Sequence, residues 1–289
     1  MTLQPNSGTL RIAVPNKGSL SQAATEMLRE SGYRQRQDAK ELTLVDAENG
    51  VEFYYLRPRD IALYVGEGTL DIGITGRDLL LDSGAKAEEV LTLGFGRSRF
   101  QFAGPLGEFT ELGQLAGRRI ATSYVGVVRT FLEDRGIDAS VVRLDGAVET
   151  SVRLGVADVI ADVVSTGATL RQAGLEPAGK PLLESSAVLV RRAGAPGNGP
   201  VTQLVRRLSG VLVARRYVML AYDVRADNLD AAVALTPGIE SPTISPLHRE
   251  GWVAVQAMVK RAEVHRIMDK LYELGARAIL VTDITNCRL

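Results

Sequence analysis

The chain has 289 residues, 45% of them hydrophobic, which is enough for large cores, and its length suggests roughly two domains. Its 34 basic and 34 acidic side chains balance, so no net field favours nucleic acid or a membrane surface as a partner. The single cysteine, Cys287, cannot form an intrachain disulfide, and no apolar run is long enough to span a bilayer. The polar N-terminus lacks a signal-peptide pattern, so we expect a cytoplasmic protein.

The first third of the chain predicts alternating strands and helices. "LRIAV" is typical of a buried strand, and "PNKGSLS" leads from it into a helix from about Leu20 to Ser31. The segments "ELTLVD" and "VEFYYL" flank Asn49-Gly50, which indicates a hairpin. A helix should run from Pro58 to Gly66, followed by strand "TLDIGIT", helix "GRDLLLDSG" and strand "EVLTLGF". This alternation predicts a mainly parallel sheet with helices on its faces.

A similar pattern restarts near Arg97. It comprises strand "RRIATSY", a helix from Val125 to Arg135, strand "SVVRL", helix "GAVETSVRLG" and strand "ADVIAD". A further strand, "SSAVLVRR", could cross back to the first lobe, and "RAGAPGNGP" is typical of a turn or linker. The chain therefore predicts two similar α/β lobes.

The order of elements changes from about Val211 onward. Strand "VLVARRYVMLAYDV" precedes helix "ADNLDAAVAL", strands "SPTISPL" and "WVAVQAMV", helix "RAEVHRIMDKLYELG" and strand "ARAILVTDI". The series β-α-β-β-α-β is the ferredoxin-like arrangement. We expect a small α+β module to follow the two lobes.

The loop after "ADVIAD" carries the groups that a sugar phosphate needs. Gly167 allows close backbone approach, and the hydroxyls of Ser165, Thr166 and Thr169 can donate hydrogen bonds to a phosphate. Asp162, just upstream, can accept hydrogen bonds from ribose hydroxyls. The alternative is a strand-to-helix turn in which a hydroxyl side chain caps the helix.

Three further polar loops follow predicted strands. Lys17 beside Gly18 could meet a polyphosphate, although a solvated lysine in a turn is the simpler alternative. Arg57, Gly76 and Asp78 should face the same cleft, since ligands of open α/β sheets gather at the carboxyl ends of strands. Charged helix starts would explain these residues equally well.

The segment "RLDGAVE" supplies the last of these loops. Asp145-Gly146 should open a helix with Glu149 one turn in, and a capping arrangement is the alternative to a binding role. The two histidines do not lie at zinc-ligand spacing, and the motifs of P-loops, Rossmann folds and serine-nucleophile elbows are absent from the sequence.

With these motifs in order, the chain resembles the long form of the ATP phosphoribosyltransferase family from Leu10 to the C-terminus. The resemblance rests on "RIAVPNKGSLS", "FYYLRPRDIALYVGEGTLDIGITGRD", "RLDGAVE", "ADVVSTGATL", "TPGIESPTISPL" and "GARAILVTDI". It implies two lobes like those of type II periplasmic binding proteins and a C-terminal ferredoxin-like regulatory domain. The implied bounds are 1–98 for lobe I, with 188–210 returning to it, 99–187 for lobe II, and 211–289 for the regulatory domain.

The resemblance also implies an activity and its partners. ATP and 5-phosphoribosyl 1-pyrophosphate (PRPP) would give phosphoribosyl-ATP and pyrophosphate, the first step of histidine biosynthesis, with Mg²⁺ as cofactor. L-Histidine would be a feedback inhibitor, and the chain would form homo-oligomers, dimers and a hexamer. No dedicated metal ligands are expected, because Mg²⁺ would be bound mainly through substrate phosphates.

Residue roles follow from the positions that match the family's motifs. The resemblance implies Lys17, Arg57 and Glu149 as catalytic, Asp162, Ser165, Thr166, Gly167, Ala168 and Thr169 as PRPP-binding, Gly18, Gly76 and Asp78 as ATP-binding, and Asp223, Thr243 and Ala278 as histidine-binding.

Two alternatives come from other functional classes. A solute-binding or sensory protein would share the two-lobed fold without turnover, but the missing signal peptide and the "VVSTGAT" loop count against it. A salvage phosphoribosyltransferase that uses a free base would share the phosphate loop, but its pair of adjacent acids is absent, since Ala161 precedes Asp162.

Overall fold

The computed structural model describes residues 8–164, 167–197 and 199–288. The chain divides into two compact units, which are described separately. The first contains residues up to Leu28 together with Tyr33–Thr202, and the second contains Arg29–Gly32 and Gln203–Leu289.

The first unit begins with a six-stranded sheet and three helices. The elements are β1 (Leu10–Pro15), α1 (Ser19–Glu30), β2 (Thr43–Asp46), β3 (Val51–Leu56), α2 (Pro58–Gly66), β4 (Ile72–Gly76), α3 (Arg77–Ser83) and β5 (Ala87–Thr92). The strand order is β2-β3-β1-β4-β11-β5, where β11 is Ala187–Arg192. Strands β3, β1 and β4 are parallel, and β2 forms the predicted antiparallel hairpin with β3.

Burial explains why these segments form this sheet. Five of the six residues of β1 are buried, and all five have apolar side chains, which suits a strand covered on both faces. Helix α2 begins with Pro58 in its first turn and buries Ile61, Ala62 and Val65 against the sheet. Gly73 in β4 lets α2 approach, because a Cβ there would collide with Ile61.

The second sheet of this unit has the same plan. Its elements are β6 (Ser98–Pro105), β7 (Arg119–Thr122), α4 (Val125–Arg135), β8 (Ser140–Arg143), α5 (Thr150–Arg153), β9 (Val159–Val164), α6 (Ala168–Gln172) and β10 (Leu175–Ser185), with a 3-10 turn at Leu112–Leu115. The order β10-β6-β9-β7-β8 places three parallel strands beside an antiparallel strand and an outer strand. The expected pair of binding-protein-like lobes is confirmed.

The two lobes exchange strands, which the sequence did not predict in full. Strands β6 and β10 were not expected. In the first sheet β2 and β11 run antiparallel to their neighbours, and in the second sheet β6 does. Parallel pairing is therefore confined to β3-β1-β4 and to β9-β7-β8. The crossing segments pair with each other: the Leu93 N–H donates to the Ala187 carbonyl, and the Ala187 N–H donates to the Phe95 carbonyl, each at 2.9 Å.

The second unit is ferredoxin-like, as expected. It contains β12 (Tyr217–Arg225), α8 (Leu229–Leu235), β13 (Thr243–Pro246), β14 (Trp252–Lys260), α9 (Val264–Glu273) and β15 (Arg277–Asp283), with 3-10 turns at Ala226–Asn228 and Arg261–Glu263. The antiparallel order is β13-β14-β12-β15. One face of this sheet packs on the helices through a core that includes Leu220, Tyr222, Val264 and Leu271.

One sequence prediction here is wrong. Val211 to Arg216 belong to helix α7 (Gly199–Arg216), and the strand begins only at Tyr217. Leu204, Leu208 and Val211 are fully buried at helical spacing, so tertiary packing overrides the strand preference of "VLV". Among the described residues, no helix is both long and apolar enough to cross a membrane.

Candidate active site

A cavity of about 310 Å³ in the first unit collects the loops that follow its strands. Lys17 and Gly18 follow β1, Pro58 follows β3, and Asp78 follows β4, while Tyr124 follows β7 in the other lobe. The remaining lining residues are Ser19, Leu20, Gly76, Leu79, Gly96, Arg97, Ser98 and Val163. The carboxyl ends of strands from both lobes therefore meet, as the rule for open α/β sheets predicts.

Asp78 is held in place at the start of α3. It is 7% exposed, its N–H donates to Ser185 Oγ at 3.0 Å, and Ser185 Oγ donates to Asp78 Oδ1 at 2.8 Å. Gly76 makes room for this carboxylate, since a Cβ at that position would collide with it. Asp78 is thus a fixed acceptor at a helix N-terminus, where negative charge is favourable.

Asp162 lies in β9 near three other ionisable side chains. Burial raises the pKa of its carboxyl above the usual 3.8, and the nearby charges of Glu149 and Asp78 raise it further. The Val163 N–H, which donates to Asp162 Oδ1 at 2.7 Å, and the Arg59 guanidinium oppose this shift. Three carboxylates and one guanidinium therefore share one electrostatic environment around the cavity.

Tyr124 adds a neutral phenol to this environment. Burial raises the pKa of the Tyr124 hydroxyl far above 10. The negative charge of Asp78 and the hydrogen bond between Tyr124 and Asp78 raise it further. The phenol stays protonated at any physiological pH. Because its single O–H donates to the Asp78 carboxylate, its oxygen can accept a hydrogen bond from a substrate group.

Arg59 and Asp82 join the two lobes beside this phenol. Arg59 Nη1 donates to Asp82 Oδ2 at 2.7 Å, and the guanidinium lies 5.0 Å from the centre of the Tyr124 ring. Asp82 Oδ1 also accepts from the backbone N–H groups of Gly126 and Val127, at 2.8 and 3.3 Å. A carboxylate from α3 thus satisfies orphan donors in the first turn of α4.

The phosphate loop is described only in part. Gly167 adopts a left-handed conformation (φ +69°) and precedes the short helix α6, with Ala168 and Thr169 exposed in its first turn. The conformation suits glycine and leaves the backbone open to a ligand. Ser165 and Thr166 lie outside the described residues.

Lys17 and Gly18 line the cavity as expected, whereas Arg57 does not. Lys17 is exposed at the cavity, and Gly18 has φ +79° with open space where a side chain would lie. Arg57 precedes α2 and is exposed, but it does not line the cavity.

The expected place of Glu149 in its helix is wrong. It is the residue before α5, not one turn inside, because Gly146 and the strained Ala147 (φ +47°) delay the helix. Its side chain makes no capping hydrogen bond, and its charge acts on Asp162.

Sequence reasoning missed Tyr124, Arg59, Asp82 and Ser185 as contributors to the site. Tyr124 could have been found, since "ATSY" ends a predicted strand at the same edge as the other loops. Ser185 and Asp82 could not, because their roles depend on pairings between segments 44 to 107 residues apart.

In the second unit, Asp223 and Ala278 come together but Thr243 lies farther along the sheet. Asp223 pairs with Arg277 at a bulge, and the neighbouring Ala278 has an unusual left-handed conformation (φ +50°). Thr243 is on the outer strand β13, with β14 between it and β12, so it lies roughly 10 Å to the side. A cavity of about 370 Å³ in this unit includes Thr243 but neither of the other two.

Comparison with known proteins decides the family. The family model described as ATP phosphoribosyltransferase matches residues 57–210, more than half of the chain. The chain belongs to the ATP phosphoribosyltransferase family. A second model, described as the C-terminal domain of the same family, matches residues 214–286. The second unit is thus part of the family's architecture, and the chain has the long form.

Relatives and solved structures of ATP phosphoribosyltransferases agree with this assignment. The enzyme of Streptomyces avermitilis is 65% identical over 284 residues, and that of Pseudarthrobacter chlorophenolicus is 62% identical over 283, each match covering 97% of this chain and 100% of the relative. The ATP phosphoribosyl transferase (HisG:HisZ) complex from Thermotoga maritima matches with a TM-score of 0.61 and 25% identity, over 70% of this chain and 97% of that one.

Proposed function

We infer that this chain is an ATP phosphoribosyltransferase, which condenses ATP with PRPP to phosphoribosyl-ATP and pyrophosphate in the first step of histidine biosynthesis. The observation that carries the inference is the cavity between two lobes that Lys17, Asp78 and Val163 line, with Asp162 next to Val163 in β9 and in charge contact with Asp78. The family match over almost the whole chain supports the same reaction.

The ribose phosphate of PRPP would occupy the β9 side of the cavity. The Asp162 carboxylate accepts hydrogen bonds from ribose hydroxyls, and segment 165–169 surrounds the 5-phosphate with backbone N–H groups and hydroxyls. The left-handed Gly167 and the exposed first turn of α6 support this placement. The position of the sugar then leaves its anomeric carbon facing the first lobe.

Bond exchange at that carbon needs orientation more than acid–base catalysis. Adenine N1 of ATP donates its lone pair to the anomeric carbon as the bond to pyrophosphate breaks, and the bonding electrons leave with pyrophosphate. The negative charges of Asp162 and Glu149 favour the cation-like ribose, and Lys17 and Arg57 balance the departing phosphates. Holding the two substrates in line lowers the activation barrier by roughly several kcal/mol.

Mg²⁺ is the proposed cofactor, held mainly by substrate phosphates, and it would neutralise charge on the leaving pyrophosphate. The donors present fit this mode, since Mg²⁺ uses one or two carboxylates together with phosphates and water. Asp78 lines the cavity, and Asp162 precedes the lining residue Val163 and is close enough to Asp78 for their charges to interact. In residues 8–164, 167–197 and 199–288 there is no group of three or more His, Cys, Asp or Glu side chains placed to hold a metal.

L-Histidine is the proposed feedback inhibitor, bound by the second unit through Asp223, Thr243 and Ala278. An aspartate suits an amino group and a threonine hydroxyl suits a carboxylate. The left-handed Ala278 beside Asp223 supports the idea, because strained backbone persists where a site needs it. Inhibition from this unit requires a coupling free energy of roughly 1–3 kcal/mol with the active site.

The finer assignments of architecture and assembly are also proposals. We propose that lobe I spans 1–98 with 188–210, lobe II spans 99–187 and the regulatory domain spans 211–289. We also propose a cytoplasmic location and a hexamer built from dimers. A homo-oligomer would give histidine binding a quaternary equilibrium on which to act.

The reaction is tested by pyrophosphate release with each substrate omitted in turn. Pyrophosphate release that requires both ATP and PRPP, and that does not occur when free adenine replaces ATP, agrees with the proposed reaction. Release with free adenine or guanine in place of ATP would indicate a salvage transferase instead. Tight ligand binding without any release would indicate a binding protein.

A further inference from the structure

Arg97 is a cationic side chain at the cavity that none of the roles above uses. It lines the 310 Å³ cavity that contains Lys17 and also an adjacent cavity of about 510 Å³ with Arg77, Arg99 and Glu184. A guanidinium that lines the Lys17 cavity is placed to contact an anionic group bound there.

The backbone at Arg97 is held close to the Lys17 loop. Gly96 adopts φ +62° and packs on Leu20, the second residue of α1, so closely that a Cβ would collide with its side chain. The crossing segment just before it pairs with Ala187 through Leu93 and Phe95. These contacts fix the backbone just before Arg97, so a ligand that binds its side chain need not order this segment.

The strand that follows places Arg97 near the end of β9. In the antiparallel pairing of β6 with β9, Arg99 lies opposite Val164, the last residue of β9. Arg97, two residues earlier in the chain, is therefore near the end of β9. Lys17, Arg97 and Val163 line the same cavity, so Arg97 lies beside both the Lys17 loop and the end of β9.

The charge of Arg97 is not balanced by an ion pair within the described residues. Arg77, in contrast, pairs with Glu89 at 2.8 Å and also donates to Thr92. Arg97 and Arg99 are both exposed, and neither has a carboxylate within ion-pair distance in the described part of the chain. A guanidinium without a partner is available to an anionic ligand.

We propose that Arg97 binds a polyphosphate group together with Lys17, which deepens the proposed function and rests on it. A guanidinium can grip phosphate oxygens with two parallel hydrogen bonds, and Lys17 adds a point charge in the same cavity. The shared chemistry is a chain of linked phosphates. Two substrates carry one: the triphosphate of ATP and the diphosphate of PRPP, which leaves as pyrophosphate.

The test compares Arg97→Gln with Arg99→Gln in the full chain. Each change removes one exposed guanidinium: Arg97 directly precedes β6, and Arg99 is its second residue. Only Arg97 lines the Lys17 cavity, so Arg99→Gln is the matched control. We would measure KM for ATP and for PRPP separately, inhibition by added pyrophosphate, and the melting temperature. Arg97→Lys tests whether charge alone suffices.

The expected result is a roughly 10–100-fold rise in one KM for Arg97→Gln, as befits a lost charge-assisted hydrogen bond. A rise for ATP alone identifies the triphosphate, while a rise for PRPP with equally weakened pyrophosphate inhibition identifies the diphosphate. The melting temperature and the constants of Arg99→Gln should be unchanged, and Arg97→Lys should recover part of the affinity.

Two results would overturn the inference about Arg97. One is an Arg97→Gln enzyme whose two KM values and pyrophosphate inhibition equal those of the wild type. The other is an equal loss in Arg97→Gln and Arg99→Gln, which would indicate a diffuse effect of charge. Failure of the proposed function looks different, since the wild-type chain itself would then release no pyrophosphate from ATP and PRPP.

Discussion

Asp162 combines a proposed role in binding with a cost in stability. Its carboxyl is largely buried near Glu149 and Asp78, and this raises its pKa. A carboxyl whose pKa is raised in the folded state destabilises the fold when it is ionised, from the unfolded value upward. The proposed role needs the ionised form, because a carboxylate accepts hydrogen bonds from two ribose hydroxyls.

Asp162→Asn should therefore raise the KM for PRPP roughly tenfold or more and also raise the free energy of unfolding at pH 7. The gain in stability should vanish below about pH 4, where an ordinary carboxyl is protonated in both states. Kinetics and urea unfolding of one sample measure both effects. Asp158→Asn, which changes the residue just before β9, is the control for the kinetics and should leave the KM for PRPP unchanged. A lower stability of Asp162→Asn than of wild type at pH 7 would contradict this account.

Asp158 itself shows the opposite shift. Hydrogen bonds from the Arg119 side chain and backbone lower its pKa from 3.8 to about 2. A lowered pKa in the folded state stabilises the fold above the unfolded value, and this contribution is lost as the pH falls from about 4 toward 2. The pair is partly exposed, so solvent screening keeps the contribution small.

Unfolding of wild type and Asp158→Asn in urea across pH 2 to 5 measures that contribution. The difference in free energy should be present at pH 5 and disappear near pH 2. A difference that stays constant over the whole range would show that the ion pair does not titrate as described.

At the scale of elements, Asp82 connects α3 to the first turn of α4. Its carboxylate accepts from Arg59 and from the N–H groups of Gly126 and Val127. Asp82→Ala should cost about 2 kcal/mol of stability, the upper range for a lost helix cap. It should also lower kcat/KM, because the contact positions Tyr124 beside the cavity.

Asp134→Ala provides the matched control within α4, since that aspartate is exposed in the second half of the helix. Removing its charge should leave stability unchanged or slightly higher, because negative charge near a helix C-terminus is unfavourable. Equal melting temperatures for Asp82→Ala and wild type would show that the contact contributes nothing to the fold.

Local chemistry explains which elements could be predicted from the sequence. Pro58 set the start of α2, Asn49-Gly50 marked the β2–β3 hairpin, and Gly136 ended α4. Strand β6 and helix α7 were missed for physical reasons. The first is defined by pairing with β9 and β10 across the chain, and the second contains a β-branched run whose burial as a helix depends on distant partners.

The candidate site was predicted to a similar extent. Residues that directly follow parallel strands, such as Lys17 and Asp78, were found because strand ends share one edge. Glu149 was misplaced because a left-handed Ala147 is not visible in composition or periodicity. Side chains that act through long-range contacts, such as Ser185 and Arg59, carry no local signal.

At the scale of the whole molecule, the second unit should make turnover sensitive to histidine. Asp223→Ala should raise the histidine concentration for half inhibition about tenfold or more, since a charged hydrogen bond to the amino group is lost. Inhibition curves, each scaled to the variant's own uninhibited rate, measure this. Asp227→Ala, an exposed aspartate just after β12, should behave as wild type, and an unchanged Asp223→Ala curve would contradict the proposed pocket.

The most direct test of the central claim is a spectroscopic assay of the purified chain with ATP, PRPP and Mg²⁺, with pyrophosphatase present to draw the reaction forward. We expect absorbance from N1-alkylated adenine to grow with time, to require both substrates, and to slow when L-histidine is added. A folded protein that forms no such product at any concentration of the two substrates would contradict the account.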